Sequence, residues 1–200
     1  MKMAIEQAPK MRLGRPRKFD EDKVLDQIVE LFWQDGYEAT GLNSITSKTG
    51  LVKASLYAAF GNKREMYLKA LARYEAVVVD PGCDLLRDAA QPPAQRLRVF
   101  FSLPINAVRD DRDLRGCFLC NASADQASVD PEIAEAVQRG YAKLQDALAD
   151  LFLELGETRQ KSKSKAAYGI ATYTGLRVMA RSGTPVPTLE LARDSLLRTL

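Results

Sequence analysis

Leu56-Tyr57-Ala58-Ala59-Phe60-Gly61, followed by Asn62-Lys63-Arg64-Glu65, is the stretch on which the reading of this chain turns. Leu56 and Phe60 are four residues apart, so they share one face of a short helix while Tyr57 and Ala58 face away. Asn62 and Glu65 have the spacing of a capping box, which starts a new helix directly after Gly61. Met66, Ala70, Leu71, Tyr74 and Val78 continue its apolar face. Upstream, Gly50 supplies a tight turn between a helix over about 43–49 and one over about 53–60.

Two short helices joined this way, with Ile45, Leu51, Leu56 and Phe60 spaced to lock their angle, form a helix-turn-helix whose second helix stands proud of the surface. Lys53, Ala54, Ser55, Tyr57 and Ala58 are left for its outer face. Lys53 can meet a phosphate or a guanine edge, Ser55 a phosphate or a base, and the Tyr57 hydroxyl a phosphate oxygen. The alanines offer bases little hydrogen bonding, so thymine-methyl contacts and DNA shape are expected to carry much of the specificity. Lys63 adds a cation beside the free amides of a helix N-terminus, a phosphate clamp.

Charge supports a polyanion partner. Residues 1–79 hold 13 Lys/Arg against 10 Asp/Glu, residues 80–200 hold 16 of each, and so the whole net charge of +3 lies in the first part. Between Ala39 and Arg64 there are four cations and no carboxylate. A solvated basic arm with no ligand is the plainer alternative. Gly14-Arg15-Pro16-Arg17, followed by Lys18, resembles the core of a minor-groove AT-hook, in which proline keeps the arm extended while arginines enter the narrow groove.

The remainder reads as helix, with no strand-period segment of useful length, and nine helices are expected in all. The first runs from about 20 to 35 and ends at Gly36. Asp80-Pro81-Gly82 is expected to end or kink the fourth. Later helices cover about 91–110, 117–127 and 133–155. Lys161 to Lys165 reads as a polar connector, followed by helices from about 167 and from about 188 to 200. Composition excludes several classes. No stretch approaches the roughly 20 apolar residues of a membrane span, so a cytoplasmic protein is expected. Histidine is absent, which removes the commonest general base and metal ligand. No cofactor, metal or catalytic residue is expected. Three cysteines, Cys83, Cys117 and Cys120, read as free thiols.

Phe32, Gly36-Tyr37, Thr40, Ile45, Gly50, Leu56 to Phe60, Lys63 and Glu65 together resemble the N-terminal domain of the tetracycline-repressor (TetR/AcrR) family over about residues 19–67. Arg115-Gly116-Cys117-Phe118-Leu119-Cys120-Asn121 is similar to a segment in one branch of that family, where a helix of the ligand-binding domain opens on Gly-Cys and an Asn. The resemblance implies an all-α homodimer joined through its last two helices and binding a palindromic operator, with a small-molecule effector that moves the fourth helix to release DNA. It divides the chain into a basic arm (1–18), a helix-turn-helix domain (19–65) and an effector-binding and dimerisation domain (66–200). The candidate DNA contacts are Arg15, Arg17, Lys18, Thr40, Asn43, Ser44, Lys53, Ala54, Ser55, Tyr57 and Lys63. Two positions depart from the family: Val52 stands where a Ser or Thr cap is usual, and Gly41 where a Ser or Thr often touches phosphate.

Phe100, Phe101, Cys117, Phe118, Asn121, Tyr141 and Tyr173 are the candidate effector residues, although aromatics at helical spacing also serve as plain core. Cys117 and Cys120, close to Arg112 and Arg115 and to a helix N-terminus, are candidates for redox sensing; the other reading is two packed small hydrophobes. The expected activity is a ligand-responsive repressor without catalysis, released by a small or thiol-reactive effector. A thiol oxidoreductase using Cys117 and Cys120 and a non-specific architectural DNA protein are the alternatives.

Overall fold

A computed structural model describes residues 19–110 and 112–200; Arg15, Arg17 and Lys18 lie outside the described residues. Among the described residues every regular element is helical: α1 (Glu21–Ala39), α2 (Leu42–Thr49), α3 (Lys53–Phe60), α4 (Lys63–Tyr74), a π turn (Glu75–Val79), α5 (Asp80–Arg87), α6 (Pro93–Asp110), α7 (Phe118–Asp125), α8 (Pro131–Glu154), α9 (Arg159–Arg181) and α10 (Val186–Thr199).

Asp20 caps α1 by accepting from the amides of Asp22 and Lys23, and Val24, Ile28 and Phe32, four residues apart, bury one face. At Gly36 the backbone turns to φ +80°, which L side chains rarely adopt. The helix does not end there as expected. It resumes for one turn to Ala39, and the break frees the Tyr37 amide to donate to Asp125 Oδ2 at 2.6 Å.

Two further expectations are corrected for tertiary reasons. The end or kink of the fourth helix expected at Asp80-Pro81-Gly82 falls earlier: α4 gives way after Tyr74 to a π turn that runs into α5. The Asp80 amide reaches back to the Glu75 carbonyl, and Pro81, which has no N–H to give, falls in the first turn of α5. Glu75 is held from α8 by Arg139 at 3.1 Å and Lys143 at 2.6 Å. Lys161 to Lys165 is not a connector but the start of α9, where Thr158 caps the helix, Ser162 is buried and Lys165 pairs with Glu157 at 2.6 Å. Among the described residues there are ten α-helices and a π turn where nine helices were expected, the additional one being α5.

α8 and α9 lie along one another, α6 and α10 complete that side, and α7 fits between α1 and α8. One apolar cluster runs from Val24 in α1 to Leu196 in α10, and a smaller one joins Ile105, Leu176, Ala180 and Leu189. An edge-on chain of rings, Phe32 to Tyr67 (4.9 Å), Tyr67 to Phe118 (5.4 Å) and Phe118 to Tyr74 (5.7 Å), ties α1 and α4 to α7. Among the described residues no helix is long and apolar enough to cross a membrane.

Candidate nucleic-acid interface and effector core

α2 and α3 are set by Ile45, Leu56 and Phe60, all buried, with Gly50 ending α2 in a left-handed turn whose N–H returns to Thr46. Lys53, Ala54, Tyr57 and Ala58 of α3 and Asn43 and Ser44 of α2 are exposed on the opposite side. Ser55 is half-buried, as is Lys63. Lys63 lies over the Tyr37 ring at 4.4 Å and reaches the Glu38 carbonyl at 3.5 Å. The capping box is closed on both sides: the Glu65 amide donates to Asn62 Oδ1 at 3.0 Å and the Asn62 amide to Glu65 Oε2 at 2.7 Å. Gly61, at φ +80°, leaves room for that carboxylate, since a Cβ there would run into Glu65 Oε2.

Thr40 is a correction. Its side chain is 0% exposed and its hydroxyl donates to the Gly36 carbonyl at 2.7 Å, closing the turn after the Gly36 break. It cannot offer that hydroxyl to a phosphate. Val52 is the N-cap of α3 and makes no side-chain cap; Gly41 caps α2 without one either.

The seven effector candidates separate. Phe100, Cys117 and Tyr173 line a cavity of about 30 Å³ with Tyr74, Val79 and Arg177, space for one water-sized molecule. The other four lie elsewhere. Phe101 packs against Gly169, Phe118 is locked in the ring chain, and the Tyr141 hydroxyl donates to Cys120 Sγ at 3.3 Å. Asn121 donates to the Trp33 and Arg115 carbonyls at 3.0 and 3.1 Å, so it joins α7 to α1 instead of facing the cavity. A broader polar groove of about 590 Å³, bordered by Gln34, Arg115 and Arg181, opens beside that junction.

Arg177 is a cavity-lining residue that the sequence reading did not include. Its guanidinium donates to Tyr173 Oη at 2.6 Å, a pairing whose only trace in the sequence is the four-residue spacing. The expected neighbours of Cys117 do not supply its positive charge: Arg115 is paired with Asp113 at 2.8 Å and stacked on Trp33 at 4.0 Å, and Arg112 is exposed. The Cys120 thiol beside it, Arg177 and the Tyr74 hydroxyl at 3.5 Å draw the Cys117 thiol down to about 6 despite burial. Cys120 is raised, first by its bond to Cys117 and then by burial. Burial likewise raises Cys83. All three cysteines are free, and no metal-holding cluster occurs among the described residues.

Residues 24–70 match the family model for bacterial regulatory proteins of the tetR family. Residues 93–194 match that for the C-terminal domain of LmrA/YxaF-like transcriptional regulators. The chain belongs to the TetR family. It is 32% identical to the HTH-type transcriptional repressor ComR of Escherichia coli strain K12 over 96% of this chain and 94% of that one. It is also 32% identical to the uncharacterised HTH-type regulator YezE of Bacillus subtilis strain 168 over 68% of this chain and 69% of that one. Among solved structures, a cysteine-substituted CifR, a TetR-family regulator complexed with 26-bp operator DNA, superimposes with a TM-score of 0.78 at 24% identity, covering 92% of this chain and 98% of that one. A TetR regulator from Legionella pneumophila gives 0.80 at 16%, covering 93% and 100%. Within this family the chain is a DNA-binding transcriptional regulator with an all-helical fold.

Proposed function

We propose that this TetR-family protein is a cytoplasmic dimeric repressor without catalytic activity that binds a palindromic operator and is released by a small-molecule or thiol-reactive effector. The observation that carries it is the division of α3. Leu56 and Phe60 are buried, while Lys53, Ala54, Tyr57 and Ala58 are exposed, as are Asn43 and Ser44 of α2, with Lys63 half-buried at the start of α4. In this reading residues 19–65 hold the DNA and residues 66–200 the effector and the partner subunit. α3 enters a major groove, and Arg15 and Arg17 enter the neighbouring minor groove. The family's repressor members, ComR by its name, support the sign of regulation.

The dimer forms through α9 and α10. Tyr168, Val178 and Met179 of α9 are exposed apolar side chains, as is Leu191 of α10, and Gly175 between them has open space above it. Small residues at such a place let helix backbones approach closely. The effector cavity is the one bounded by Phe100, Cys117 and Tyr173, which must widen to admit anything beyond a water-sized molecule.

Gel shifts on the DNA upstream of the protein's own gene test this reading. Tyr57→Ala and Lys63→Ala should each weaken operator and random DNA alike, and Lys63→Ala, which removes a cation, should also lower the salt slope by about 0.9 for the phosphate no longer neutralised. Unaltered affinity and slope in both variants would contradict it.

A further inference from the structure

Cys117-Phe118-Leu119-Cys120 is a Cys-x-x-Cys placed across the start of α7. Cys117 is the N-cap, with extended torsions (φ −115°, ψ 128°), and Cys120 lies in the first turn, three residues on and on the same face. We infer that these two thiols form a reversible intrahelical disulfide switch for small peroxides, read out at the DNA-binding domain through Arg115 and Trp33. This deepens the thiol-reactive part of the proposed function and rests on it.

The surroundings suit each step. Cys117 Sγ borders the 30 Å³ cavity together with Arg177 and Tyr74, and Tyr74 Oη lies 3.5 Å from it. Hydrogen peroxide, one oxygen larger than water, needs only a slight widening of that space, whereas a bulky electrophile needs a large one. The same cations and hydroxyls that stabilise a thiolate stabilise the developing negative charge. The Cys117 thiolate attacks one peroxide oxygen, the O–O bond breaks, and the departing hydroxide takes a proton to leave as water, giving a sulfenic acid. The Cys120 sulfur then attacks Cys117 Sγ, the S–O bond breaks, and the hydroxide leaves as water with the Cys120 proton. Each thiol is oxidised by one electron, the peroxide is reduced to two waters, and a cellular dithiol reverses the change. Cys120 is the more exposed of the two, so a reductant has a sulfur to attack.

The signal has a short route. Closing the bond draws Cys117 toward the helix and away from Tyr74. The carbonyl of Arg115, two residues before Cys117, accepts from Asn121 Nδ2 at 3.1 Å and Arg181 Nη1 at 2.6 Å, and Arg181 also reaches the Gln34 carbonyl of α1 at 3.4 Å. The Arg115 guanidinium covers Trp33, the chain's single tryptophan. A shift of residues 115–117 is therefore felt both at the C-terminal end of α1 and by the single indole beside it, which can be excited apart from the tyrosines.

The test uses the full chain, hydrogen peroxide and dithiothreitol. Peptide mapping should show Cys117 joined to Cys120, Cys83 still open to alkylation, and a change in Trp33 emission that dithiothreitol reverses. Cys120→Ser should stop at a sulfenic acid trapped by dimedone, without the emission change. Arg177→Met should move the pH midpoint of Cys117 alkylation upward by roughly one to three units; an unmoved midpoint would remove Arg177 from the proposal. A Cys117 that pairs with Cys83 or with a second chain, or an equal emission change in Cys120→Ser, overturns the switch. A reduced chain that binds operator yet forms no such disulfide defeats this inference alone, whereas a chain that closes the disulfide but never binds DNA defeats the regulator reading instead.

Discussion

Val52 is 68% exposed at the N-cap of α3, and no side chain caps the amides of the helix meant to face DNA. Val52→Thr should raise unfolding stability by about 1 kcal/mol, read as a higher urea midpoint at unchanged slope. An unchanged midpoint would show that the helix is held by Leu56 and Phe60 alone. Gly61 points the other way: Gly61→Ala strains a φ of +80° and intrudes on the Glu65 carboxylate, so a loss of more than about 1 kcal/mol is expected. Single residues were legible in the sequence where their role is local. Asn62 and Glu65 announce their capping box by spacing, and Val52 its missing cap by chemistry. Thr40 was not legible as a buried residue, because its burial follows from the backbone break at Gly36, four residues earlier. Arg177 was hidden for a similar reason: the cavity it shares with Cys117 is formed only when α7 packs against α9.

Between elements, the link from α4 to α8 is electrostatic. Arg64 at the start of α4 binds Asp130, the N-cap of α8, at 2.8 Å and Glu132 at 2.7 Å. The Arg64 guanidinium holds the Asp130 carboxyl down to about 2, below its ordinary 3.8. A carboxylate lowered in the folded state contributes stability that is fully present above its unfolded value and is lost as the pH falls through the folded one. Wild type and Arg64→Met should therefore differ in stability above pH 3.8 and converge as the pH falls toward 2, measured by thermal melts across that range; a constant difference would exclude the pair as its source. The helices that sequence patterns misplaced are those shaped by such cross-element contacts. The π turn persists with Glu75 anchored by Arg139 and Lys143 from α8, and the polar start of α9 is helical with Lys165 bonded to Glu157. Apolar periodicity within one segment carries no trace of either. The spacings of four and three from Ile133 to Leu155 mark the apolar seam of α8 in the sequence, and burial follows them as far as Leu151, while Leu155 is 49% exposed.

At the scale of the molecule, the apolar cluster passes from the helix-turn-helix into the larger helical part without interruption, so a change around Cys117 has packed neighbours all the way to α1. All-α architecture and the DNA-facing helix were readable from 3.6-residue periodicity and one dense motif. The effector residues were not, because an aromatic at helical spacing does not reveal which helix it will meet: Phe100 and Tyr173 stack at 4.5 Å beside the cavity, whereas Phe118 joins α7 to α4 through Tyr67 and Tyr74. Dimerisation through α9 makes its own demand. Gly175→Glu should produce monomers by light scattering and weaken operator binding by reduced avidity, while a variant that stays dimeric would move the interface elsewhere. Whether the outer face of α3 reads DNA from a symmetric dimer is met most directly by a cleavage-protection footprint of the reduced protein on the region upstream of its gene. A protected palindrome with two half-sites about one helical turn apart is expected, absent in Tyr57→Ala. Uniform weak protection with no palindrome, equal to that on random DNA, would contradict it.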